Sequence, residues 1–159
     1  METSIYVILA LLAIFIIGPA LFTDRSPIPE TSGNVFKITK AAELDALLSS
    51  TTNVVVDFYA DWCPPCRAIA PVFSKLADSH AVSGQLAFAK VNVDHVKDVA
   101  GRYTVTAMPT FVFFEKGKPT PVKAQGVNDG DDRIRGANPK ALTAVVLALA
   151  KAAKSESEI

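Results

Sequence analysis

Residues 54–76, VVVDFYADWCPPCRAIAPVFSKL, join an apolar strand to a helix that begins at a pair of cysteines. The first six residues form a nearly continuous apolar run, which is typical of a central strand covered on both faces. From Cys63 onward, apolar residues recur at helical spacing up to about Ser79, and Pro71 is expected to kink this helix rather than end it. A buried strand that leads into a helix in this way indicates an α/β layer fold.

The two cysteines of the chain, Cys63 and Cys66, stand at the start of the predicted helix. Unpaired N–H groups and the helix dipole favour a thiolate at Cys63, and the thiolate is the form that attacks a disulfide. Cys66 lies on the same face one turn deeper, where it can resolve a mixed disulfide formed at Cys63. Pro64 and Pro65 suit the first helical turn and stiffen the loop between the cysteines.

Asp57 stands in the middle of the most apolar strand, where an unpaired carboxylate is costly to bury. It either faces a wet pocket or is used for its raised proton affinity. The cysteine pair also has other possible roles. A zinc site would need two further ligands, for which the chain offers His80 and His95 near predicted helix ends. A structural disulfide over so short a loop would stabilise the fold little.

The remaining chain alternates strands and helices. Strands are predicted at 35–38, 86–93 and 110–114, with a last edge strand at 121–125. Helices are predicted after a Thr39 cap, over 96–103, and from an Asn138 cap with Pro139 at the first helical position. This order predicts a mixed central sheet flanked by helices. The sixteen basic and sixteen acidic residues leave no net charge, which argues against nucleic-acid binding.

Residues 1–22 predict a transmembrane signal anchor, because residues 5–22 are an uncharged run of eighteen residues. A cleaved signal peptide with small residues near Ala20 is the alternative, although no basic residue precedes the run. The basic residues that follow it, Arg25 first, place the domain on the cytoplasmic side. Residues 23–34 (TDRSPIPETSGN) predict a semi-extended linker, and residues 35–159 the folded domain.

Residues 54–76 closely resemble the active-site segment of thioredoxins. The resemblance continues through AKVNVD at 89–94, VTAMPT at 105–110 and RGANP at 135–139, and it covers nearly all of residues 35–150. A W-C-x-x-C sequence with a strand aspartate and a downstream Met-Pro-Thr is a highly specific combination. The resemblance implies a thioredoxin fold, preceded here by the predicted N-terminal transmembrane helix.

The resemblance also implies a role for individual residues. Cys63 would be the nucleophile and Cys66 the resolving cysteine, with Asp57 exchanging protons with the Cys66 thiol. Lys90 would neighbour Asp57 and moderate the cost of burying it. Pro109 would be the cis-proline that faces the disulfide and exposes main chain to a substrate peptide. The residues expected to form the substrate-binding surface are Trp62, Pro64, Pro65, Met108, Gly136 and Ala137.

Two features depart from the family pattern. Most thioredoxins carry Gly-Pro where this chain has Pro64-Pro65, and this dipeptide tunes redox poise, so the direction of the reaction is left open. Residues 124–132 (AQGVNDGDD) look like an inserted, mobile loop ahead of the final helix. The loop lies near Gly136 in the sequence and could shape the choice of partner.

These observations predict an anchored, monomeric reductase of protein disulfides that a thioredoxin-reductase-type partner recharges, with no cofactor or metal beyond the cysteine pair. An exported or lumenal domain that forms or isomerises disulfides is the second hypothesis. A thioredoxin-fold adaptor without turnover is the third, and the complete set of site residues disfavours it.

Overall fold

The structure of the chain, a computed structural model, describes residues 2–21 and 24–157. Within these residues, helices and strands alternate up to β4, and two further short strands precede a long last helix. In chain order the elements are α1 (Glu2–Leu21), β1 (Val35–Ile38), α2 (Ala41–Ser50), β2 (Asn53–Tyr59), α3 (Pro64–His80), β3 (Leu86–Asn92), α4 (Lys97–Arg102), β4 (Thr110–Glu115), β5 (Lys118–Pro119), β6 (Arg133–Arg135) and α5 (Pro139–Ser157).

The strands form one mixed sheet in the order β1-β3-β2-β4-β5, and β6 also pairs with β4. Strands β1, β3 and β2 run parallel, whereas β4 runs antiparallel to β2, β5 and β6. Both β2 and β3 are buried along their whole length, which is why they read as apolar runs in the sequence. The prediction of a mixed central sheet flanked by helices is confirmed.

Alternate residues of β2 face two different cores. Val55 belongs to the core that contains side chains of α3 and α5, whereas Val54 and Val56 belong to the core that contains those of α2 and α4. Because side chains alternate along a strand, Asp57 follows Val55 onto the α3 side of the sheet. The fold therefore places the Asp57 carboxyl group under the helix that begins at the cysteines.

The predicted edge strand at 121–125 is wrong, because these residues form no strand in the structure. The edge of β4 pairs instead with β6, where Ile134 lies opposite Phe111 and is buried in the core. Pro121 has no N–H to donate to a ladder. Ile134 is the buried apolar residue of the short strand β6, which takes this place on β4.

The two predicted helix caps have different outcomes. The N-cap of α2 is Lys40 rather than Thr39, and it makes no side-chain cap bond. Instead, Glu43 Oε2 accepts a hydrogen bond from the Thr39 N–H at 2.7 Å, which satisfies a donor at the helix start. At α5 the prediction is confirmed, since Asn138 Oδ1 accepts a hydrogen bond from the Ala141 N–H at 3.1 Å.

Residues 124–132 pack against α5. A Cβ atom added at Gly126 would come within 3.1 Å of the Ala141 Cβ, and Gly126 has a φ of +84°. Val127 is partly buried against the core. Glycine at position 126 thus allows both the turn and the close approach of the loop to the helix.

The segment predicted as a membrane anchor corresponds mostly to α1, whose large apolar side chains over residues 5–17 are exposed. Among the residues that the structure describes, no helix combines the length and the apolar character needed to cross a membrane. Phe22 and Thr23, at the boundary between the predicted anchor and linker, lie outside the described residues.

Candidate active site

Cys63 and Cys66 form a disulfide at the N-terminus of α3, with their Cα atoms 5.3 Å apart. Cys63 is the N-cap residue, and its Sγ accepts a hydrogen bond from the Cys66 N–H at 3.3 Å. Cys66 lies in the first turn and is 1% exposed. In the reduced protein, the same N–H group and the helix dipole stabilise a thiolate at Cys63.

Pro64 and Pro65 fill the first two helical positions and are exposed. These positions suit proline because a first-turn N–H has no helical partner. Trp62 precedes the pair and is 42% exposed, with its Nε1 donating a hydrogen bond to Asp94 Oδ2 at 2.8 Å. The exposed face of the site is therefore formed by an indole ring and two proline rings.

Asp57 lies on the α3 side of β2 and is 4% exposed. Burial raises the pKa of its carboxyl group to about 7, and the nearby charge of Lys90 lowers it in part. Asp57 Oδ1 has no hydrogen-bond partner within the described residues. A cavity of about 20 Å³ lies beside Asp57, and Tyr59 and Ala70 line it. That volume accommodates about one water molecule.

Lys90 is the register partner of Asp57 across the parallel β2–β3 pair, so it lies next to Asp57 as the family resemblance implies. Its Nζ does not bond Asp57, however, but donates a hydrogen bond to Glu30 Oε2. The same Nζ lies 5.6 Å from the centre of the Tyr59 ring. Lys90 thus neighbours Asp57 along the sheet while its ammonium group is held by another carboxylate.

The peptide bond between Met108 and Pro109 is cis, and Pro109 is buried. The Pro109 carbonyl oxygen accepts a hydrogen bond from the Gly136 N–H at 2.8 Å, which places residues 136–137 beside this loop. Gly136 has a φ of +89°, a conformation that favours glycine. Met108 packs partly buried against the cluster that contains both cysteines. The structure thus brings Met108, Pro109 and Gly136 together, and Met108 connects them to the cysteine cluster.

Neither His80 nor His95 is placed by the structure beside the cysteine pair. His80 ends α3 whereas the cysteines begin it, so a rise of 1.5 Å per residue separates them by roughly 20 Å. His95 is exposed after β3. Within residues 2–21 and 24–157, no group of three or more potential metal ligands was found.

Three residues of the site are missed by the sequence analysis, namely Ile28, Glu30 and Asp61. Ile28 is 8% exposed and belongs to the cysteine cluster. Asp61 Oδ1 accepts a hydrogen bond from the Ile28 N–H at 3.1 Å, and its Oδ2 accepts one from Asn92 Nδ2 at 2.9 Å. A lone isoleucine between Pro27 and Pro29 in a polar stretch was the available signal that this stretch docks on the domain.

Comparisons with known proteins agree with this geometry. The model of the thioredoxin family matches residues 34–137. A thioredoxin-like protein of Fusarium culmorum is 58% identical over 110 residues, which cover 69% of this chain and 86% of the relative. A thioredoxin of Neurospora crassa is 44% identical over 126 residues, covering 79% of this chain and 94% of the relative.

Solved structures show the same similarity. The crystal structure of a Malassezia sympodialis thioredoxin matches with a TM-score of 0.62 and 32% identity, covering 79% of this chain and 98% of that one. A Plasmodium falciparum thioredoxin matches with a TM-score of 0.60 and 33% identity, covering 71% of this chain and 97% of that one. With its Cys63–Cys66 pair at the start of α3, the chain therefore belongs to the thioredoxin family of thiol–disulfide oxidoreductases.

Proposed function

We propose that the chain reduces protein disulfides and is recharged by a thioredoxin-reductase-type partner. The observation that carries the proposal is the small number of backbone donors around Cys63 Sγ. This sulfur accepts a hydrogen bond from the Cys66 N–H. Pro64 and Pro65 have no N–H to donate, so the first turn offers this thiolate few donors. Oxidants of this class owe their strength to a stabilised reduced form. With one such N–H donor, the Cys63 thiolate is stabilised less than a thiolate that receives several, and this favours a reductant.

The proposed reaction is a two-electron dithiol exchange. The Cys63 thiolate attacks one sulfur of a client disulfide, so that a mixed disulfide forms and the other client sulfur leaves as a thiolate. Cys66 then gives its proton to the Asp57 carboxylate and attacks Cys63 Sγ. The Cys63–Cys66 disulfide forms and the second client sulfur leaves. The two client thiolates take up two protons, equal in number to those that the cysteines release.

The client would bind on the exposed surface around the disulfide. Trp62, which is exposed and precedes Cys63, and Met108, which packs against the cysteine cluster, would supply apolar contacts. The main chain of Met108, which precedes cis-Pro109, would pair with an extended peptide. This surface fits a segment of another protein that carries a disulfide.

The first test is the equilibrium reduction potential of Cys63–Cys66 in the full chain, titrated against defined thiol buffers. We expect a value near or below about −250 mV, in the range of thioredoxin itself, for which about −270 mV is the known reference value. Such a value fits a reducing compartment and the predicted cytoplasmic location. A value near or above about −190 mV would instead assign the chain to disulfide formation or isomerisation, outside the cytoplasm.

The second test is Asp57→Asn, which removes the proton acceptor for Cys66. We expect release of the mixed disulfide at pH 7 to slow by on the order of 10²-fold, because an asparagine amide cannot take the proton. The first attack by Cys63 should keep nearly its parent rate. Rapid mixing with a disulfide peptide, followed by acid quench, separates the two steps. If release is as fast as in the parent, Asp57 is not the acceptor.

A further inference from the structure

The stretch before β1, residues 24–30, lies across the start of α3 and beside the cysteine pair; we call it the N-terminal segment. Its main chain is held by side chains of Arg67 and Asp61. Arg67 Nη2 donates a hydrogen bond to the carbonyl oxygen of Ser26, and Asp61 Oδ1 accepts one from the Ile28 N–H at 3.1 Å. Ile28 belongs to the same buried cluster as both active-site cysteines. The segment is therefore part of the site rather than a free linker.

Three charged residues form a row across the parallel strands at this place. Lys37 of β1 is the register partner of Lys90 of β3, which is in turn the register partner of Asp57 of β2. Register partners on neighbouring strands lie roughly 5 Å apart and their side chains point to the same face of the sheet. Lys90 therefore has a carboxyl group on one side and a second lysine on the other.

Glu30, the last residue of the N-terminal segment, contacts both lysines of this row. Its Oε2 accepts a hydrogen bond from Lys90 Nζ, and its Oε1 lies 3.7 Å from Lys37 Nζ. A carboxylate that reaches both lysines lies on the side of Lys90 that faces away from Asp57. The ammonium group of Lys90 is thus drawn toward β1.

The other groups near Asp57 do not replace this cation. The apolar walls of the adjoining cavity include Ile28 and Pro29, which the N-terminal segment supplies. The titratable and charged groups near Asp57 include Lys90 of β3, Tyr59 of β2, Cys66 of α3, Asp61 after β2, and Glu30 and Lys37 behind Lys90. Arg67 of α3 is the further cation of this region, and it is engaged by Ser26 and Asp24 of the N-terminal segment. Lys90 is the charge that lowers the pKa of Asp57, against the burial that raises it.

We propose that Glu30 is a positioning residue for proton transfer from Cys66 to Asp57, because it holds the Lys90 ammonium away from the Asp57 carboxylate. The inference rests on the proposed function, in which Asp57 accepts the proton that frees Cys66 to attack. Glu30 takes no part in the bonds that form or break. It sets the pH at which Asp57 changes from proton donor to proton acceptor, and Ile28 and Pro29 keep the carboxylate from being solvated.

The test measures the titration of Asp57 itself in the oxidised full chain, where the cysteines do not titrate. In Glu30→Gln, Lys90 is free to approach Asp57, and we expect the midpoint of the ¹³C NMR titration of the Asp57 carboxyl carbon to fall by about 1 pH unit. Glu115→Gln is the matched control, since Glu115 is exposed and pairs in register with Asn53 at the other end of β2. It should leave the midpoint unchanged. An unchanged midpoint in Glu30→Gln would overturn the inference.

The same substitutions made in a Lys90→Gln variant show whether Glu30 acts through Lys90. In Lys90→Gln, the further change Glu30→Gln should lose most of its effect on the Asp57 midpoint, whereas Ile28→Ala should still lower the midpoint by admitting water. If Glu30→Gln keeps its full effect without Lys90, the positioning role is wrong. The pH profile of mixed-disulfide release should shift in the same direction as the NMR midpoint. A chain that shows the NMR shifts but has an oxidising potential would disprove the proposed function and leave this inference standing.

Discussion

Asp57→Asn is expected to raise the free energy of unfolding at pH 8 by roughly 2 to 4 kcal/mol, and to change it little at pH 4. Burial raises the pKa of Asp57 from its ordinary value of 3.8 to about 7. One pH unit corresponds to about 1.4 kcal/mol, so the ionised carboxylate costs the folded state on the order of 4 kcal/mol. Asparagine keeps the shape without the charge, but its buried amide also lacks partners, so the gain is smaller than the full cost.

The pH dependence of this effect has a definite sign. The folded-state pKa of Asp57 is the higher one, so between about pH 4 and pH 7 the folded chain binds more protons than the unfolded chain. The stability that comes from a protonated Asp57 is therefore fully present below about pH 4 and is lost as the pH rises through about 7. The stability of the Asp57→Asn variant should not fall with pH in this way, because asparagine does not titrate.

Urea unfolding of the oxidised chain at several pH values from 4 to 8 measures the difference. Asp129→Asn is the matched control, because it makes the same substitution at an exposed position of the loop over 124–132. The control should follow the parent at every pH. Equal gains for Asp57→Asn at pH 4 and pH 8 would show that the charge is not the cause.

Much of the site can be predicted from local sequence because local rules place it. A helix that starts at Cys63 puts Cys66 one turn deeper, and strand alternation puts Asp57 on the same side of the sheet as that helix. Both placements follow from the spacing of apolar residues along the sequence, which repeats every two residues in a strand and every 3.6 residues in a helix. Tertiary contacts refine them without changing them.

The errors have a common physical origin in contacts between distant parts of the chain. Residues 121–125 contain Val122 and Ala124, which do pack against the core, but the ladder on β4 forms with Ile134 and its neighbours instead. The stretch around Ile28 has no period, so its lone isoleucine is a weak local signal, and only the folded chain shows that it docks beside the cysteines. Likewise, the register of β2 and β3 predicts that Lys90 lies next to Asp57, but the competition from Glu30, 60 residues away in the sequence, appears only in the folded chain.

Cys66→Ser is expected to stop the reaction at the mixed disulfide, with turnover reduced by on the order of 10³-fold or more. Cys63 can still attack a client disulfide, but the variant has no second thiol held in position to attack Cys63 Sγ. Release then depends on a thiol from solution, which lacks the high effective concentration of a neighbour in the same helical turn. Covalent adducts with disulfide-containing proteins should accumulate and be visible by non-reducing electrophoresis and mass spectrometry, linked through Cys63.

Cys63→Ser is the matched control for this experiment, because it removes one thiol of the same pair and leaves the other. Both cysteines are buried in the disulfide, Cys63 at 4% and Cys66 at 1% exposed, but Cys63 lies between the exposed Trp62 and Pro64, whereas Cys66 lies inside the first turn of α3. We therefore expect few adducts from Cys63→Ser. Equal adduct yields from the two variants would mean that Cys66 reaches clients directly, and the assignment of Cys63 as nucleophile would be wrong. No adducts from Cys66→Ser would favour an adaptor that binds partners through the thioredoxin fold without exchanging disulfides.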